Sequence, residues 1–115
     1  MRRIVVLNVD WLDRKHDFPR GDIEAEIAKR ILRLISRQPV NRMRGWHRCN
    51  LCNDPPCPIA VKYDGKRISL GSAEIWVEGN DGVQYAAPNL IYHFIVEHQY
   101  LPPKAFLDAV ARETR

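Results

Sequence analysis

Apolar residues recur along this chain with two different spacings. Between Ile23 and Ile35 they fall three and four apart: Ile23, Ile27, Ile31, Leu34 and Ile35, with Ala28 on the same side. That spacing is one face of a helix. Asp22 offers an N-cap, and Glu24 and Glu26 precede Lys29, Arg30, Arg33 and Arg37, an order that complements the helix dipole. Pro39 stops the run. A helix over about 22–37 is predicted.

The later part of the chain alternates. Ile59–Tyr63 and Lys66–Leu70 flank Asp64-Gly65, a two-residue hairpin signal. Ser72–Glu78 puts Ala73, Ile75 and Val77 on one face and Glu74, Trp76 and Glu78 on the other. Asn80-Asp81-Gly82 is a further turn signal, and Val83–Ala86 a last strand. Four antiparallel strands in a meander are expected, with a short buried strand over 4–8 ahead of the first helix. Pro88 suits the first turn of a second helix, about 88–99, with Leu90, Ile91, Phe94 and Ile95 inward. Pro102-Pro103 ends it, and a third helix follows over about 103–112 with Phe106, Leu107 and Val110 inward. Helices around an antiparallel sheet make an α+β class, and 115 residues suit a single domain, 1–115.

The remaining segments are irregular. Residues 9–21 read as a loop anchored by Trp11, Leu12 and Phe18. Residues 39–58 hold four prolines and every cysteine, Cys49, Cys52 and Cys57. Loops of that length inside a small domain are functional or tied down. No apolar run is long enough for a membrane span, and the four-residue run Ile4–Leu7 is too short for a signal-peptide core. A cytoplasmic protein is therefore expected, and an odd number of clustered cysteines in a reducing compartment points to metal or redox chemistry before disulfides.

Cys49-Asn50-Leu51-Cys52 places two thiols on one tight turn, and His47 lies two residues ahead. Zinc takes sulfur and imidazole in a tetrahedron. His47, Cys49 and Cys52 are thus three candidate ligands of a zinc-knuckle-like loop, and the fourth is sought among His93, Cys57 and His98. Cys57 is local but stiffened by Pro55, Pro56 and Pro58. His93 and His98 are five apart, about 140° on a regular helix, which argues against one ion taking both. His93, beside the apolar side of its helix, is the preferred fourth ligand. A redox dithiol wants its cysteines at a helix N-terminus after a strand, a context missing here, and the spacing fits no standard iron–sulfur run. Plain buried thiols are the remaining reading.

Charge adds a second candidate. The net charge is +4, modest for 115 residues, but no acidic residue interrupts the stretch from Ile27 to Asn53. Arg30, Arg33 and Arg37 share one helix stripe, and Arg44 and Arg48 flank Trp46 and His47. These five arginines could hold an anionic partner, an acidic protein or the phosphates of nucleic acid. A solvated helix face plus charge balance for zinc thiolates is the preferred reading, since the net charge is modest and no nucleic-acid motif appears. An enzyme reading would need zinc with an open position and a carboxylate base such as Asp54, Glu74, Asp81 or Glu97. No His-Glu-x-x-His, deaminase or nucleophile-elbow motif accompanies them.

Several strings together carry a resemblance: Trp11-Leu12-Asp13, Arg37-Gln38-Pro39-Val40-Asn41, Gly45-Trp46-His47-Arg48-Cys49-Asn50-Leu51-Cys52, Gly71-Ser72-Ala73-Glu74-Ile75, Tyr85-Ala86-Ala87-Pro88-Asn89-Leu90-Ile91-Tyr92-His93 and His98-Gln99-Tyr100-Leu101-Pro102-Pro103. The chain resembles, over about residues 7–110, a family of small bacterial proteins of unknown function. The resemblance implies a freestanding domain with His47, Cys49, Cys52, His93 and His98 at motif positions and Cys57 outside them. It brings no activity with it. The expectation is a small zinc-binding domain that acts as a binding or interaction module; a zinc-dependent hydrolase and an arginine-rich nucleic-acid binder are the alternatives.

Overall fold

The computed structural model describes the backbone of residues 5–8 and, in full, residues 18–37, 49, 51–52, 59–79 and 83–113. The elements run β1 (Val5–Asn8), α1 (Ala25–Arg37), β2 (Ile59–Tyr63), β3 (Lys66–Leu70), β4 (Glu74–Glu78), β5 (Val83–Pro88), α2 (Ile91–His98) and α3 (Lys104–Arg112). This is an α+β protein.

The four later strands form as two antiparallel hairpins, β2 with β3 and β4 with β5. Asp64 and Gly65 turn the first hairpin with φ of 51° and 75°, as a type I′ turn requires. The meander is interrupted between β3 and β4, which share no ladder: β4 belongs to a three-stranded sheet of order β1-β5-β4, and β2-β3 stands apart. The break falls at Gly71, whose φ of 107° is open only to glycine. Its N–H donates to Asn89 Oδ1 at 2.7 Å, and the N–H of Asn89 donates to the Ala73 carbonyl at 2.9 Å. Asn89, 5% exposed, thus staples the β3–β4 corner to the β5–α2 corner. β1 adds to β5 in parallel, Val5 opposite Val83 and Asn8 opposite Ala86.

Two helix starts differ from the sequence expectation. α1 begins at Ala25, because the Glu24 carbonyl accepts the N–H groups of Ile27 and Ala28; Asp22 is exposed ahead of it. Pro88 closes β5 opposite Glu74 instead of opening α2. A strand end tolerates a residue without an N–H, and the turn Asn89-Leu90 intervenes before Ile91.

The core lies where the helices cover the β4 face carrying Ile75 and Val77, each 1% exposed. α1 supplies Ile31, Leu34 and Ile35, α2 supplies Ile91, Phe94 and Ile95, and α3 supplies Phe106, Ala109 and Val110. Arg30 ties two helices together. Its Nη1 donates to the carbonyls of Ala111 and Glu113 at 3.1 and 2.9 Å, at the C-terminus of α3, where positive charge is favoured. Trp11, Leu12 and the Asn80-Asp81-Gly82 turn lie outside the described residues.

Candidate metal centre

α2 carries two histidines and ends abruptly after the second. Gln99 takes the left-handed conformation, φ 56° and ψ 31°. Its N–H and that of Tyr100 both donate to the Phe94 carbonyl, which closes the helix end. The reversed chain then pairs with residues 19–21: Gly21 N–H donates to Gln99 O at 3.0 Å, and Leu101 N–H to Pro19 O at 2.9 Å. Tyr100, buried, meets Phe18 edge-on at 5.9 Å, and the Arg20 guanidinium lies 4.4 Å from the Phe18 ring centre. The chain just after α2 is therefore held by residues 18–21.

Against this end sits the Cys-x-x-Cys turn. Cys49 is 2% exposed and part of the hydrophobic core, while Leu51 and Cys52 are half-buried against it. Cys52 Sγ lies 3.2 Å from His93 Nε2 and 3.2 Å from His98 Nε2; Cys49 Sγ lies 3.4 Å from His98 Nε2. One ligand atom from each of Cys49, Cys52, His93 and His98 falls within 4.8 Å of all the others. Two sulfurs and two imidazole nitrogens so arranged could hold a metal ion.

The electrostatics suit that use. Burial, together with the positive charge His98 would carry, holds the His93 pKa below the ordinary 6.5; Glu97 opposes them more weakly. Burial also depresses His98, with Glu97 pulling the other way and Arg20 adding to the depression. Both rings are thus neutral at pH 7, with lone pairs free for a cation. Neither Cys49 nor Cys52 is in a disulfide.

The joint approach of His93 and His98 corrects the helical-wheel expectation that the two rings diverge. The wheel places Cβ atoms, but ring tips make the contact. Cα–Cβ bonds tilt toward the helix N-terminus, so a ring on the last residue leans back over the preceding turn. The two rings meet with centroids 5.1 Å apart and planes at 74°. The signal was present in Gln99-Tyr100-Leu101-Pro102, which marks His98 as a terminal residue free of a following turn.

His47, Cys57, Arg44 and Arg48 lie outside the described residues. Of the other arginines on the helix stripe, Arg33 is half-buried, Arg37 is exposed, and Arg30 is engaged with α3. Glu74, Glu97 and the two cysteines are spread over different elements, and among the described residues no carboxylate joins the Cys49, Cys52, His93, His98 group. No described helix is long and apolar enough to cross a membrane.

Neither a curated protein nor a solved structure matches the chain significantly. A family model, described as a domain of unknown function (DUF7919), does match it, over residues 1–111. The chain therefore belongs to the DUF7919 family.

Proposed function

We propose that Cys49, Cys52, His93 and His98 bind one zinc ion, and that the ion is structural in a small binding module. One observation carries the reading: three sulfur–nitrogen separations of 3.2, 3.2 and 3.4 Å between residues 41 to 49 positions apart in the chain. Zn–S bonds of about 2.3 Å and Zn–N bonds of about 2.0–2.1 Å at tetrahedral angles put sulfur and nitrogen about 3.5 Å apart. These three pairs differ from that value by tenths of an ångström, and all four ligand atoms lie within 4.8 Å of one another. The donor set of two thiolates and two imidazoles suits zinc in a reducing compartment such as the cytoplasm.

Four protein ligands fill a tetrahedron, which supports a structural ion over a hydrolytic one, since catalytic zinc keeps a position for water. That set of four leaves no position for His47 as a ligand. The ion would fasten the Cys-x-x-Cys turn to the end of α2, joining the irregular stretch ahead of β2 to the core. The binding role rests on the basic residues of α1, with an anionic partner.

Elemental analysis of protein purified without chelator tests the metal. One zinc per chain is expected, falling below a tenth for Cys52→Ser and for His98→Ala, and unchanged for His47→Ala. The cobalt(II)-substituted protein should show the intense absorption of a tetrahedral sulfur–nitrogen site. A metal-free protein, or full zinc in both variants, overturns the assignment.

A further inference from the structure

A cleft of about 650 Å³ opens on the face of the molecule formed by α1, the tip of the β2–β3 hairpin and α2. That size falls within the ~300–1,000 Å³ typical of small-molecule sites. None of its lining residues belongs to the four-residue metal group. Lys29, Arg30 and Arg33 come from one side of α1, and Lys62 comes from β2. These positions converge because residues three and four apart share a helix face.

The cations are not equivalent. The Arg30 guanidinium is spent on the C-terminus of α3 and lies 3.7 Å from Glu26. Lys29, Arg33 and Lys62 make no ion pair among the described residues, and Asp64 at the hairpin turn is the one other carboxylate in the lining. Positive charge is therefore in surplus here. Beside it stand two half-buried phenol rings, Tyr63 and Tyr92, and the buried side chain of Leu32. Lysine and arginine without partners bind phosphate well, and arginine can do so through two parallel hydrogen bonds. Tyrosine faces accept a flat ring by stacking, whatever its sequence.

An anion alone would need only the cations, and an acidic peptide would need no concavity with aromatic walls. We infer that this cleft binds a nucleotide, with its phosphate on Lys29, Arg33 and Lys62 and its base against Tyr63 and Tyr92. The ligand is either a free mononucleotide or one unit of a single strand. The inference deepens the binding-module reading and rests on it; it does not depend on which metal the cysteines hold.

Calorimetric titration of the full zinc-loaded chain at low salt tests it, with adenosine monophosphate, adenosine, inorganic phosphate, a short oligodeoxyadenylate and hexaglutamate as probes. The monophosphate is expected to bind at least tenfold more tightly than adenosine or phosphate. Lys62→Gln and Arg33→Gln should each weaken it about tenfold, the loss of one charge-assisted contact. Tyr63→Leu should weaken the monophosphate and leave phosphate binding unchanged. Lys104→Gln, which removes an exposed cation on α3 paired with Asp108, should leave every affinity as it was. An oligonucleotide binding tenfold tighter than the monophosphate identifies a strand as the ligand; equal or weaker binding identifies the free nucleotide. No binding of either to folded protein, a monophosphate no tighter than phosphate, equal loss in Lys104→Gln, or binding of hexaglutamate alone overturns the inference. Zinc content measured on the same samples separates this result from the metal assignment.

Discussion

Cys52 and His93 are separated by 41 residues of chain, yet Sγ of one lies 3.2 Å from Nε2 of the other. Two strands, a corner and a second hairpin intervene. The turn that carries Cys52 is packed against the hydrophobic core through Cys49 and Leu51. In the proposed reading a metal bridge fastens it further to the end of α2 and makes the stability of the domain depend on the ion.

Metal removal is therefore expected to lower the melting temperature. Zinc at a thousandfold over its Kd stabilises a native state that alone can bind it by about 4 kcal/mol. For a domain of this size that corresponds to roughly 15 °C or more. Scanning calorimetry with and without chelator checks this, and added zinc should restore the transition. Cys49→Ser and Cys52→Ser should melt, or lose cooperativity, at the chelated wild-type temperature or below it. A variant melting with the zinc-loaded wild type removes the structural role.

Acidification should act on the same point. His93 and His98 both titrate below the ordinary 6.5 in the folded chain, burial being the first cause in each. The unfolded chain then binds more protons than the folded one as pH falls through that range, so stability rises with pH there. The contribution is complete above about 6.5 and is lost as pH drops through the depressed folded values. In the metal-free protein, the denaturation midpoint should fall on going from pH 7 to pH 5. His93→Gln combined with His98→Gln should flatten that slope. Zinc-loaded protein should hold its midpoint further into acid and then lose it steeply, because protons displace the metal.

Much of this arrangement was legible in the chain. The apolar spacing of α1, the alternation of β4 and the Asp64-Gly65 turn each have a local cause, and each formed where that cause lies. Cys49 and Cys52 stood out because two thiols on one turn are a short-range pattern. What was not legible is set by distance. At the corner where β3 and β4 part, Gly71 is bonded to Asn89, 18 residues away, and no short window around Gly71 contains it. Pro88 suits a helix start and a strand end alike, and only its register opposite Glu74 decides. That His98 joins His93 depends on where α2 stops.

Asn89 offers a direct test of the corner it staples. Asn89→Ala leaves the buried Gly71 N–H without its acceptor, and an unsatisfied buried donor costs about 1–3 kcal/mol. Asn89→Asp keeps the acceptor and should recover most of the loss at neutral pH. Urea denaturation of the zinc-loaded protein reads both. Asn89 is not one of the metal group, and its hydrogen bonds go to Gly71 and Ala73, so zinc content should stay at the wild-type level in both variants. An Asn89→Ala midpoint equal to wild type removes the staple from the account of why the meander breaks.

Gln99 carries the opposite expectation, a gain. It is one of two described non-glycine residues with positive φ, and a side chain in the left-handed region costs roughly 1–2 kcal/mol. Glycine escapes that cost but gives up part of it through a freer unfolded chain. Gln99→Gly should therefore stabilise the domain by about 0.5–1 kcal/mol. Gln99→Val, branched at Cβ, should destabilise it and let the end of α2 relax. His98 sits on the residue before, so the two variants separate helix-stop strain from metal affinity. If the stop is what aims His98 at both sulfurs, zinc affinity measured by competition with a chromogenic chelator should hold in Gln99→Gly and fall in Gln99→Val. Equal affinity in the two variants would mean that the ion itself, and not the left-handed turn, positions the ring.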